Sequence, residues 1–310
     1  MFIYYKYGTN KEVLKEDNQL MFRIFYKYWL NRIKKDKTKL SKVPQKYRTY
    51  ELCLIAVRNN SDNFLEVPKI NISHEICITA IMQDGELLQH MPEECRTYDI
   101  CLKAVGKTAL QLKYVPDELK TYTLCYTAVC TYGWALKYVP EKHREYWLCL
   151  EAVKTCGEVL KYVPLRHRIF NMCYNAVIEN GLVLEIVPDM YKNNMMCTAA
   201  INNTPMALQY VPNNIITYEL CYNSVKTYGR VLEYVPEKHK TYKLCLTAVK
   251  NSRLALDYVP DRFMTYELCI LALRKYGIST LSKLPEKYKS IIKQKIKDGD
   301  IQTNRRVQYV

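Results

Sequence analysis

Ten cysteines stand at a fixed spacing, Cys53, Cys77, Cys101, Cys125, Cys149, Cys173, Cys197, Cys221, Cys245 and Cys269, each 24 residues after the last. Thiols in register could hold a metal or exchange disulfides, and both chemistries need side chains that converge. A ladder with one cysteine per structural repeat does not converge. Neighbouring helices pack about 8 to 10 Å apart, beyond the roughly 7 Å between Cα atoms that a disulfide tolerates. The ladder is read as buried small hydrophobes, and the off-register Cys95, Cys130 and Cys156 as the exposed thiols. His143, His167 and His239 share one position that other repeats fill with Tyr47, Leu119, Tyr191, Ile215 and Phe263. A position that accepts Leu and Phe is a packing site, and no second metal ligand recurs beside it. Gly106-Lys107-Thr108 looks like the end of a phosphate loop, but Cys101 stands where that loop needs its first glycine. No H-E-x-x-H, G-x-S-x-G or C-x-x-C motif occurs. The expectation is a non-enzyme with no catalytic residues, no metal site and no cofactor.

The elements that carry these residues follow from the same period. Pro44, Pro68, Pro92, Pro116, Pro140, Pro164, Pro188, Pro212, Pro236 and Pro260 are spaced by 24, and Pro285 follows after one inserted residue. Nine residues after each of the first ten comes the ladder cysteine, and three later Ala56, Ala80, Ala104, Ala128, Ala152, Ala176, Ala200, Ser224, Ala248 or Ala272. A period of this kind marks stacked supersecondary units and overrides the two-domain count that 310 residues would otherwise suggest. Within a unit, Tyr146, Leu148, Cys149, Leu150, Ala152 and Val153 follow a helical period. A Ser, Thr or Asn five after the proline (Thr49, Ser73, Thr97, Thr121, Asn193, Thr217, Thr241, Thr265) predicts the N-cap. Gly133, Gly157, Gly181, Gly229 and Gly277 predict left-handed C-caps. The apolar stretch before the next proline, such as Val159 to Val163, predicts a short second helix. Helices this short are stable only as an array, so the fold class is all-α: an α-solenoid of about ten 24-residue helix-turn-helix repeats over residues 44–284. Residues 1–43 form an N-terminal cap region with a degenerate repeat. Residues 285–310 supply a capping helix and tail, with Tyr288, Ile291, Ile292 and Ile296 closing the core and Lys289, Lys293 and Lys297 facing water.

Charge is confined to the ends. The net charge is +15, made of +9 in residues 1–50 and +6 in residues 251–310, while residues 51–250 carry 21 basic and 21 acidic side chains. Electrostatic partners, nucleic acid included, therefore belong to the ends. Residues 20–30, LMFRIFYKYWL, with Arg32, Lys34, Lys35, Lys37 and Lys39 behind them, could form a basic amphipathic helix for a membrane surface or an acidic partner. The favoured alternative is a buried cap with a solvated basic edge. A basic stripe four after the proline (Arg48, Arg96, Lys120, Arg144, Arg168, Lys192, Lys240) is read as a solvated face. No apolar run approaches the ~20 residues of a membrane span, and the absence of a leader pattern places reduced thiols in a cytoplasmic setting.

The recurrent phrases LKYVPEKHREYWLCLEAVK and LEYVPEKHKTYKLCLTAVK resemble the repeats grouped as domain of unknown function 4116, over about Pro44 to Pro285. Such repeats are familiar from giant DNA viruses and some intracellular bacteria. The resemblance implies a helical repeat protein of that kind of origin, located in host-cell cytoplasm or virion, and brings no catalytic residues. Function must then reside where the repeats vary. Positions seven, eleven and fourteen after each proline form one stripe on the long helix, opposite the Cys and Ala, and solenoids bind along such rows. Here the stripe carries Asp99 and Lys103, then Trp147, Glu151 and Lys154, then Asn171, Asn175 and Ile178, then Met195. It is the candidate surface for a protein partner, with weak nucleic-acid contact at the basic ends as the alternative.

Overall fold

The computed structural model describes residues 10–36 and 38–298, with side chains from residue 19 onward. Residues 1–9 of the expected N-terminal region, Lys37 of its basic run and the tail beyond Asp298 lie outside the described residues. Among those described, every regular element is helical: α1 (Asn10–Lys34), α2 (Tyr50–Asn59), α3 (His74–Gln83), α4 (Tyr98–Lys107), α5 (Tyr122–Thr131), α6 (Tyr146–Thr155), α7 (Phe170–Glu179), α8 (Asn194–Asn203), α9 (Tyr218–Thr227), α10 (Tyr242–Asn251), α11 (Tyr266–Tyr276) and α12 (Glu286–Lys297). The chain divides into two compact units, residues 1–144 with α1 to α5 and residues 145–310 with α6 to α12. Within each unit consecutive α-helices pack on one another and on the short helices between them, the arrangement of an all-α solenoid.

Helices α2 to α11 each start just after the position five beyond the proline, which in α6 and α7 holds Glu145 and Ile169 instead of a predicted capping residue. Thr49, Ser73, Thr121, Asn193, Thr217, Thr241 and Thr265 accept from the amide three residues on, satisfying one free donor of the first turn. Thr97 occupies the same position without that bond. The ladder faces inward: Leu148, Cys149, Ala152 and Val153 are fully buried, as are Cys173 and Ala176 in the next repeat. Small side chains at these two positions let the backbones approach.

That approach, and not a left-handed cap, explains Gly157, Gly181 and Gly229. The residue before Gly133, Gly157, Gly181 and Gly229 is the C-cap and is extended, as at Cys156 (φ −154) and Asn180 (φ −144), whereas Gly277 is itself the C-cap of α11. Only Gly277 has positive φ (78) among the glycines described. A Cβ on Gly157 would lie 2.3 Å from the carbonyl oxygen of Ala176, and one on Gly181 2.2 Å from that of Ala200. The glycines thus seat each repeat against the ladder alanine of the next.

The predicted second helix is a six-residue 3-10 helix, as at Gly157–Tyr162 and Gly181–Ile186. The Val-Pro step stops it, because proline offers no amide and pushes the preceding valine to an extended conformation (Val163 φ −71, ψ 131). A three-residue 3-10 turn after most of the prolines, as at Leu165–His167, was not expected from the sequence.

The basic stripe is not a solvated face. Arg48, Arg144 and Arg168 donate from Nε to the carbonyls of Val43, Val139 and Val163, each at 2.8 Å. Arg96 does the same to Met91 (3.1 Å) and reaches Tyr114 O of the following repeat (2.9 Å). Lys120, Lys192 and Lys240 pair with Asp117, Asp189 and Glu237. The arginines of the stripe hold carbonyls that the 3-10 helices leave over, and its lysines are held by nearby carboxylates.

The ends differ from expectation in two places. On α12, Ile292 is buried, but Ile291 is about half exposed instead of closing the core. On α1, Ile33 is buried and Tyr26 OH donates to Glu51 Oε2 at 3.0 Å. Leu40 and Val43 are buried behind the helix as predicted. Yet Leu20, Met21, Phe22, Ile24, Phe25 and Tyr28 are exposed, so the helix is a cap on one face only.

Candidate protein-binding surface

Residues seven, eleven and fourteen after a proline fall on one helix face because steps of four and three residues stay aligned at 3.6 residues per turn. On α6 this face carries Trp147, Glu151 and Lys154; on α7 Asn171, Asn175 and Ile178; on α8 Met195. The structure turns it away from the ladder. Trp147 is 68% exposed, Met195 55% and Ile178 50%. Since α6 packs on α7 and α7 on α8, the three lie on one continuous surface of the second unit. Trp147 and Met195 occupy first turns two helices apart, roughly 16 to 20 Å at ordinary helix spacing, with Ile178 on the last turn between them.

The polar members of the stripe are occupied with one another. Lys154 Nζ meets Glu151 Oε1 at 2.8 Å, and Asn175 Nδ2 donates to Asn171 O at 2.8 Å. Exposed ion pairs contribute little, so the apolar side chains are what this face offers a ligand. Asp99 and Lys103 belong to α4 in the first unit, where they form an ion pair with each other.

Three further residues extend the apolar surface at the N-terminal edge of the same helices. Leu165 is 77% exposed and Met190 81%, both in the turns that follow prolines, and Ile169 is partly exposed at the N-cap of α7. The α-helix stripe alone did not reveal them. The signal was present: Leu165 stands where other repeats have Gln, Lys, Glu, Asp or Asn, and Ile169 where they have Ser, Thr, Asn or Glu. Ile169 gives up a capping side chain, a sacrifice of about 1 kcal/mol at such a position.

The alternative chemistry resolves into packing. Burial pushes the ladder thiols up to about 11 at Cys53, Cys101, Cys125, Cys173, Cys197, Cys221, Cys245 and Cys269, and pushes Cys77 up as well. Cys95, expected to be an exposed thiol, is half-buried against the Cys77 thiol, as Asn71 sits against Cys53 one repeat earlier. Cys156 is half-buried and Cys130 exposed. His143 and His167 pack edge-on against Tyr122 and Tyr146, with ring centroids 6.4 and 6.2 Å apart. His239 Nε2 lies 3.0 Å from Ile216 O. Among the described residues no three His, Cys, Asp or Glu side chains gather where they could hold a metal ion, and no helix is long and apolar enough to cross a membrane.

The family described as domain of unknown function 4116 matches the chain three times, at residues 74–120, 123–168 and 217–264. The chain carries DUF4116 repeats. Each matched stretch is about twice the 24-residue spacing, so the family unit corresponds to two of the structural repeats, such as those of α3 and α4. Residues 169–216, with α7 and α8, fall between the second and third matched stretches. No curated protein and no solved structure matches the chain.

Proposed function

We propose that this protein is a non-enzymatic scaffold that binds a protein partner through the exposed face of α6 to α8. The observation that carries the proposal is Trp147: a large aromatic side chain 68% exposed on a face whose other repeats are mostly polar. Ile178, Met195, Leu165 and Met190 extend its apolar surroundings. Residues 141–200 carry seven basic and seven acidic side chains, which favours an apolar protein segment over a phosphate backbone as ligand. The largely buried thiols suit a reducing compartment, host-cell cytoplasm or virion interior in a viral setting.

The test is capture from lysate with wild type beside Trp147→Ala. Aromatic anchors at an interface centre often cost ~2 kcal/mol or more on truncation, so partner recovery should fall at least tenfold while helicity and melting temperature stay nearly unchanged. Identical partner lists would remove Trp147 from the surface. Recovery of RNA alone would favour the basic ends as the binding region.

A further inference from the structure

Terminal repeats of a solenoid carry polar outer faces, because no neighbour covers them. The C-terminal helix α12 follows this apart from Ile291, with Lys293, Lys295 and Lys297 exposed. Helix α1 does not. Its inner face, with Tyr26, Trp29 and Ile33, is buried or half-buried, and Phe22 reaches the Tyr47 ring at 5.1 Å. On the outer face Leu20, Ile24 and Tyr28 line up one turn apart, flanked by Met21 and Phe25, an arc of about 140° at 3.6 residues per turn. These five are between 43% and 58% exposed.

The charges flanking the strip itself are basic, while the preceding turns of α1 carry Glu12, Glu16 and Asp17 beside Lys11 and Lys15. Arg23, Lys27 and Lys34 run along one edge beside Leu20, and Arg32 and Lys35 lie at its C-terminal end. Between Gln19 and Lys35 there are five basic residues and no acidic one. A nucleic acid would use the cations and leave the apolar strip in water. A flat anionic lipid surface satisfies both: a convex ridge one helix wide sinks its apolar strip at the headgroup boundary without needing a complementary groove, and its cations stay among the lipid phosphates.

We infer that the outer face of α1 docks peripherally on an anionic membrane surface, through Leu20, Met21, Ile24, Phe25 and Tyr28 with Arg23 and Lys27 at the edge. The full-length protein should co-sediment with phosphatidylcholine vesicles that contain phosphatidylserine, and not with phosphatidylcholine alone, and raising the salt should release it. Ile24→Asp with Phe25→Asp should weaken this binding by about tenfold or more, and so should Arg23→Glu with Lys27→Glu. All four side chains are exposed, so circular dichroism should be unchanged; Ile24→Ser with Lys27→Gln provides a milder pair. Trp147→Ala should bind vesicles like wild type, which separates this inference from the protein-binding proposal. No sedimentation with the anionic vesicles would overturn it, and so would α1 variants that bind as wild type does. A dimer in light scattering that Ile24→Asp dissolves would give the face to a second copy instead.

Discussion

A thiol attacks and ligates as its thiolate, and the ladder cysteines are kept as thiols because their helices bury them completely. With acidity pushed to about 11, they act as small apolar groups. Under native conditions a thiol reagent should label Cys130 first, Cys95 and Cys156 more slowly, and the ladder only on unfolding. Stability carries the same signature. Below pH 8 native and unfolded thiols are both protonated and the contribution of burial is complete. From about 8.5, the ordinary cysteine value, the unfolded chain releases protons that the native chain keeps, so unfolding gains as pH rises towards 11. In reducing buffer the melting temperature should fall above about pH 8.5, and less steeply after several ladder positions are changed to alanine. A flat profile up to pH 10.5 would show that the native thiols ionise freely.

The repeat as an element is held by three devices: the Thr cap, the Arg that takes up carbonyls left by the 3-10 helices or the Lys that pairs with a carboxylate in its place, and the glycine that lets one repeat seat on the next. A glycine's worth therefore depends on where it stands. Gly181→Ala places a methyl 2.2 Å from Ala200 O, and such overpacking should cost about 1 to 3 kcal/mol in denaturant unfolding. Gly106 lies within α4, and a methyl added there would meet nothing within 4 Å, so Gly106→Ala should stabilise by up to about 1 kcal/mol. Equal effects of the two substitutions would show that the close approach at Gly181 is not what limits the residue there.

At the scale of the whole molecule, stability should spread only between neighbours, since a solenoid repeat touches the units beside it. Cys221→Arg would drive a charge into the fully buried side of α9. Hydrogen exchange should then rise over α8 to α10, with the helices of the first unit, α2 to α4, protected as in wild type. Collapse of protection in every helix would show one cooperative block. The same locality lets binding residues vary: Trp147, Leu165 and Met190 depart from the repeat without touching the ladder that holds it.

The proline, cysteine and alanine period was enough to establish a helical array, its caps and its inward face, because one small-residue contact recurs between all neighbours and a sequence with a fixed period must repeat its geometry. The exposure of Trp147, Ile178 and Met195 was legible for the same reason, as they stand half a turn from the ladder. Other properties were decided only by contacts between repeats. The glycines read as helix caps until the neighbouring Ala176 and Ala200 carbonyls came close, and the arginine stripe read as solvated until those side chains met carbonyls across a turn. Leu165 and Met190 lay in turns whose direction no helical period specifies. For α1, hydrophobic residues run around the helix, and only its packing on α2 decided which of them are covered and which face water.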